Sequence, residues 1–197
     1  MARPLTPLAL IVLRLLADEP LHPYEMQQRI RERSYDQAVK VTHGALYHTV
    51  DRLVDDGRVE PVETGREGRR PERTVYAITD RGRDDAVARL RELLHHPVEE
   101  YPRLGTALAV VSMLEPEDVA TRLEMREVQL ESLIAAFSTA LDGLRKQGLH
   151  RVALADTEYM LALRRAELDW VRAYAADIRA GHLTWNLLDT HEEGARS

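Results

Sequence analysis

VTHGALYHTVDRLVDDGRVEP, residues 41–61, is the stretch that decides the fold. On a 3.6-residue period Leu46, Val50, Leu53 and Val54 fall on one side, the i, i+4, i+7, i+8 pattern of an amphipathic helix. The other side carries His43, Tyr47, His48, Asp51 and Arg52, all able to donate or accept hydrogen bonds. Thr42 is a good N-cap, because its hydroxyl can take one of the unpaired amide hydrogens of the first turn. Gly44 lowers helix propensity but lets another surface approach the backbone. Asp56-Gly57 ends the helix, and Val59 to Thr64 reads as a strand. A short capped helix with a polar, aromatic-tipped face, followed by a strand, has the form of a recognition helix and its wing. Such a face can also be plain solvated surface, so its neighbours decide.

Upstream, Thr6 to Ala17 reads as an apolar helix, with Leu8, Ile11, Val12, Leu15 and Leu16 at helical spacing. Thr6 suits its cap and Pro7 its first position. A second helix opens at Leu21-His-Pro-Tyr-Glu-Met and runs to about Arg33, with Tyr24, Met26 or Gln27, and Ile30 available for the inner face. Ser34 to Lys40 is a polar connection. Three helices with short connections, the third facing outward, make a helix-turn-helix core.

Downstream, Arg58 to Thr64 alternates, with Val59 and Val62 apolar and Pro61 suited to an edge strand. Arg73 to Thr79 alternates again, with Val75 and either Ala77 or Ile78 on the covered side. Between them lies Gly65-Arg-Glu-Gly-Arg-Arg-Pro-Glu72, a hairpin tip rich in glycine and arginine. It lacks the Lys-Ser/Thr pair of a nucleotide-phosphate loop and does not lead from a strand into a helix. A solvated hairpin is the plain alternative. After a recognition-type helix it reads as a wing, with Arg66, Arg69 and Arg70 on phosphate or in the minor groove and Arg73 adding to their charge.

Three segments, HPYEM at 22–26, GALYHTVDRLVDDGRVEP at 44–61 and GREGRRPERTVYAITDRGR at 65–83, together resemble the PadR family of bacterial transcriptional regulators. The resemblance covers residues 5–94. The family form has Gly before the tyrosine at position 24 and Pro after the tyrosine at position 47. Here Pro23 and His48 stand there, and His48 adds a hydrogen-bonding group to the exposed face. The resemblance implies a homodimeric winged-helix protein that binds an inverted-repeat operator on double-stranded DNA, usually as a repressor. In that frame Thr42, Tyr47 and His48 are candidates for base edges, with Gly44 permitting close approach. Lys40, His43, Arg52 and the wing arginines are phosphate candidates. Arg52 has an alternative in Asp51, Asp55 or Asp56 on its own helix.

The second half fits a helical dimerisation domain. Asp80 to Leu94 reads as a charged helix capped by Asp80 and ended by His95-His96-Pro97. Arg103 to Leu114 is a short apolar helix. Pro116 starts a long one reaching about Leu144, with Val119, Leu123, Leu130, Leu133, Ile134, Phe137, Leu141 and Leu144 as its stripe. Gly148 marks a turn, and a last helix spans about Ala155 to Ala180, with Leu161, Leu168, Val171, Ala175 and Ile178 at heptad-like steps. Two such helices pack on each other and on a second copy, the alternative being a self-contained helical hairpin against the winged helix. The expected fold class is therefore mainly α with a small β-wing. Residues 1–94 form the winged helix-turn-helix domain, 95–102 a linker, 103–187 the helical domain and 188–197 a flexible tail.

Composition bounds the alternatives. The 197 residues contain no cysteine, which removes disulfides and thiolate chemistry. The net charge is −6, yet residues 1–94 hold 16 Lys and Arg against 16 Asp and Glu, while residues 95–197 hold 11 against 17. The deficit lies wholly in the helical half, which helps to keep the protein off DNA except where recognition helix and wing point. Arg14 interrupts the apolar N-terminus and no small-residue cleavage site follows, so the expectation is a cytoplasmic protein with no membrane partner. None of the eight histidines makes a zinc-type spacing, and no nucleophile or cofactor loop is evident, so no catalytic residue, metal or cofactor is expected. Trp170 is the candidate for holding a small hydrophobic or aromatic effector, as the family resemblance implies near the dimer interface, with a core or interface role as the alternative. The competing function is a winged helix that serves only as a protein-interaction module.

Overall fold

The computed structural model describes residues 4–65 and 73–185. They divide into two compact units, Met1–Glu99 and Glu100–Ser197.

In the first unit, α1 (Pro7–Leu16) carries the proline at its start, and the Thr6 hydroxyl accepts from the Ala9 amide at 3.2 Å. α2 (Pro23–Glu32) is capped by His22, whose Nδ1 accepts from the Tyr24 amide while the Glu25 carboxylate accepts from the His22 amide. That is a capping box with imidazole in the place of a hydroxyl. α2 buries Pro23, Met26 and Ile30, an i, i+3, i+7 row. Tyr24, expected on the inner face, stands about 160° around the helix from Met26 and is 60% exposed. A short 3₁₀ turn, Tyr35–Gln37, leads on to α3 (His43–Asp55).

β1 (Val59–Gly65) and β2 (Arg73–Ile78) form an antiparallel ribbon. The register pairs Val59 with Ile78 and Pro61 with Tyr76, then slips between Pro61 and Glu63. Val62, three residues from buried Val59, lies on the other face of the strand and is 51% exposed, so only the first of the two apolar valines enters the core. On β2 it is Tyr76 and Ile78, two apart, that pack on the core, rather than Val75. Leu21 adds a bridge at the edge: its amide and carbonyl each bond Tyr76 at 3.0 Å. The shared core gathers Leu8, Val12, Leu13, Leu16, Met26, Ile30, Leu46, Val50, Leu53 and Val59.

α4 (Asp80–His95) follows directly. Its cap is Thr79, one residue before the expected Asp80. Thr79 is in the extended conformation, so its hydroxyl can accept from the Gly82 amide at 3.0 Å while donating to the Gly57 carbonyl at 2.9 Å. The α3–β1 turn is thereby tied to the start of α4. Arg58, 4% exposed, completes the tie, with Nε on Asp85 at 2.7 Å and a terminal nitrogen on Asp56 at 2.9 Å.

In the second unit the expected helix from Arg103 to Leu114 is divided. α5 (Arg103–Ala109) is followed by a 3₁₀ turn at Val111–Met113. α6 (Pro116–Lys146) and α7 (Ala155–Arg179) are the two long helices, and Gly148 takes φ +81° between them. Arg179 binds Glu117 and Glu124, Arg172 binds Glu127 and Glu131, and Arg145 binds Glu158. Partners descend on α7 as they rise on α6, so the helices are antiparallel. Hydrogen bonds from Arg179 hold the Glu124 carboxyl below its ordinary range, and those from Arg145 and Arg151 do the same for Glu158.

Beneath these ion pairs, Val119, Ala120, Leu123 and Leu130 meet Leu168, Val171, Ala175 and Ile178. Leu141, Leu154 and Leu161 close the other end. Leu133, expected in the α6 stripe, lies at its margin and is 44% exposed. The indole of Trp185 donates to the Leu114 carbonyl at 2.7 Å and joins the first of these clusters. No helix among the described residues is long and apolar enough to cross a membrane.

Candidate nucleic-acid interface

α3 is set by its two ends and its buried row. The Thr42 hydroxyl accepts from the Ala45 amide at 3.2 Å, and Asp56 and Gly57, the latter at φ +68°, stop the helix. Leu46, Val50 and Leu53 are buried in the core, with Val54 partly buried beside them. This anchoring fixes which side chains face outward. Thr42, His43, Gly44, His48 and Asp51 are exposed, and Lys40 is exposed just before the helix. An added Cβ at Gly44 would meet nothing within 4 Å, so the backbone there is open to an approaching surface.

The His43 and Tyr47 rings stack, centroids 4.4 Å apart and planes 26° from parallel. Tyr47 is half-buried, so the stack braces His43 on one flank of the outer face. Tyr76 on β2 stands near the same flank. Burial raises its hydroxyl above the ordinary phenol range, and the charge of Asp51 and the neighbouring Tyr47 push the same way. No local pattern pointed to Tyr76, because its approach depends on the register of the ribbon. Arg52 is half-buried on the opposite flank, where it lines a small pocket with Pro4, Thr6, Thr49, Asp56 and Arg58.

Arg66, Arg69 and Arg70 of the wing lie outside the described residues. Arg73 opens β2, paired in register with Gly65. The strands on either side are placed as a hairpin directly after α3, which is the wing topology. Residues 12–88 match the family described as transcriptional regulator PadR-like. The N-terminal unit belongs to the PadR-like family.

The PadR-like fold extends over most of the chain. Bacillus subtilis PadR in complex with operator DNA is similar at a TM-score of 0.71 and 17% identity, covering 87% of this chain and 98% of that one. The same bacterium's PadR in complex with p-coumaric acid gives 0.69 at 15% identity, covering 91% and 99%. The Vibrio cholerae virulence activator AphA gives 0.66 at 18% identity, covering 88% and 98%. No curated protein sequence matches the chain.

Trp170, the effector candidate, lies on α7 and stacks on Tyr174 at 4.8 Å between centroids, 41% exposed. It sits on the side of α7 away from the buried row Leu161, Leu168, Val171, Ala175 and Ile178. Among the described residues no group of three or more His, Asp or Glu side chains is arranged to hold a metal ion.

Proposed function

We propose that this PadR-like regulator is a cytoplasmic homodimeric repressor that places the outer face of α3 in the major groove of an inverted-repeat operator. The observation that carries the reading is the outer face itself. A helix locked by a threonine cap and a buried leucine–valine row presents Thr42, Gly44, Tyr47 and His48 to the outside, beside a hairpin that holds the chain's densest run of arginine. Thr42, Tyr47 and His48 serve base edges, while Lys40, His43 and the arginines 66, 69, 70 and 73 serve phosphates. Arg52, drawn to the flank beside Asp56, takes a lesser share. Support also comes from the similar fold of a PadR that was solved on operator DNA. The similar AphA is named an activator, so the repressor sense rests on the family's usual habit alone.

The dimer reading has its own support. Tyr159, Leu163, Ala166, Trp170 and Ala173 recur at steps of four, three, four and three along α7, and all five are exposed. That is a heptad seam with no partner helix within its own unit among the described residues. The row expected from sequence to serve both packings is consumed against α6, so a second copy takes this other face. Trp170 then belongs to the subunit contact, and a small aromatic effector, such as the p-coumaric acid of the similar PadR structure, would act by loosening it.

Fluorescence-anisotropy titration against the DNA upstream of the protein's own gene tests the reading, at two salt concentrations. Arg69→Ala/Arg70→Ala should weaken binding about tenfold or more. The salt slope should also fall by up to about 1.8, roughly 0.9 for each phosphate no longer neutralised. Binding no tighter than to scrambled DNA, with no motif recovered from a random pool, would instead favour a protein-interaction module.

A further inference from the structure

The outer face of α3 is poorly supplied with fixed positive charge for a surface that meets a polyanion. Lys40 and Arg52 are offset by Asp51 and Asp55 on the same segment. Arg58 is buried and bonded to Asp56 and Asp85. The elements packed on α3 add little. On α1, Arg14 pairs with Asp18; on α2, Arg29 pairs with Glu19 and Glu32, and Glu25 accepts from the His22 amide. Tyr24 and Arg31 on α2, Arg33 paired with Asp18, Tyr35 and Asp36 on the turn before α3, Glu60 and Glu63 on β1 and Tyr76 on β2 are the other titratable groups described there. Carboxylates, guanidinium groups and phenols do not ordinarily change charge between pH 6 and 8, whereas imidazole does.

Two imidazoles stand on this face, His43 and His48, both exposed. Protonation would give the face a net charge of about +2 where it now has none. His43 is held on this face by its stack on the Tyr47 ring. We propose that DNA binding takes up protons at His43 and His48, so that this regulator holds its DNA more tightly as pH falls from 8 to 6. The proposal rests on the DNA reading of α3.

The sign follows from linkage. The negative potential of DNA, from the phosphate at His43 and from the groove floor and flanking phosphates at His48, stabilises an imidazolium, so each histidine binds its proton more firmly in the complex than in the free protein. Affinity gained this way is fully present below the free histidine's titration and is lost as pH rises through that of the bound one. With each bound histidine holding its proton about tenfold more firmly, affinity should fall more than about tenfold between pH 6 and 8.

The probe is a labelled duplex carrying the palindrome selected from a random pool, titrated at pH 6.0, 7.0 and 8.0 at constant ionic strength. Calorimetry of the same pair in two buffers of different ionisation enthalpy counts the protons taken up. The expected result is a falling affinity with pH and uptake of more than about half a proton per chain at pH 7. His43→Gln/His48→Gln should flatten the slope and abolish the uptake, whatever it does to absolute affinity. His22→Asn, which keeps a cap on α2 but removes the third imidazole of this half of the unit, should keep the slope. DNA binding that is tight but unchanged from pH 6 to 8, or a slope that survives in the double variant, overturns the proposal and leaves the DNA reading standing. Absence of binding to any duplex at every pH overturns both.

Discussion

Gly82→Ala is expected to destabilise the N-terminal unit by about 3–5 kcal/mol. A Cβ at position 82 would lie 2.1 Å from the carbonyl oxygen of Arg58 and 3.0 Å from its carbonyl carbon. Neither atom belongs to a flexible side-chain end, so the start of α4 and the start of β1 must separate. Three linked contacts then fail together. The Thr79 hydroxyl loses the Gly82 amide, the Thr79 amide loses the Arg58 carbonyl it meets at 3.1 Å, and Arg58 is pulled from Asp85. Loss of a cap accounts for about 1 kcal/mol, and stranding a buried charge accounts for most of the remainder.

Urea unfolding of the full chain, followed by circular dichroism, should show an early transition that the unchanged protein lacks. Gly44→Ala is the matched control. It has open space around its new methyl and sits inside a helix, so it should gain up to about 1 kcal/mol in the same assay. A Gly82→Ala protein within about 1 kcal/mol of the original would mean that the joint yields cheaply, and the account of Arg58 as a clamp would fall.

The contrast between these glycines shows where sequence reading stops. Gly44 and Gly82 look alike in a string of letters. What separates them is a contact between residues 58 and 82, across a ribbon whose register is not written locally. The same holds for Tyr24, Leu21 and Tyr76. Tyr24 counts as inner only while the row is undecided; once Pro23, Met26 and Ile30 fill it, the helical period leaves Tyr24 on the outside. Leu21 looks like a helix opener and is instead the bridge to Tyr76.

Local features were legible because their causes are local. Thr6 and Thr42 cap because a hydroxyl reaches an amide three residues on, and both bonds are present. Pro116 and Gly148 bound α6, and its span differs from the expected one only at the end. On α3 the outer face was readable because a helix with one buried row has a fixed outer side, and His43, His48 and Asp51 are exposed there, while Tyr47 and Arg52 are half-buried at its flanks. The charge on that face was not readable, since it depends on which arginines are already held by carboxylates from other elements. Arg58 is adjacent to the helix in sequence and lost to it in space.

Leu163→Glu/Trp170→Glu is expected to convert the protein to a monomer and to weaken operator binding about a hundredfold or more. The faces of α7 already in use decide this. Leu161, Leu168, Val171, Ala175 and Ile178 are buried against α6 and its neighbours, so that row has no capacity to hold a second chain. The opposite row, Tyr159, Leu163, Ala166, Trp170 and Ala173, keeps a heptad step in which large and small residues alternate from Leu163 onward. Placing carboxylates at its two central large positions sets four negative charges face to face across a symmetric contact. A single winged helix reads only half of a palindrome, and the second half-site then loses the effective concentration that the tether provides.

Light scattering after size exclusion should report twice the chain mass for the unchanged protein and one chain mass for the variant. Circular dichroism should stay the same, because both side chains are substantially exposed. Leu168→Glu gives the opposite signature, lost helicity, since its side chain is buried in the cluster between α6 and α7. A variant that remains dimeric would move the contact off α7, to Met125 and Val128 on α6 or to Val87, Leu90 and Leu94 on α4, which are also exposed. A variant that becomes monomeric yet binds the full palindrome as before would separate assembly from recognition, and one α3 with its wing would then have to supply the whole affinity.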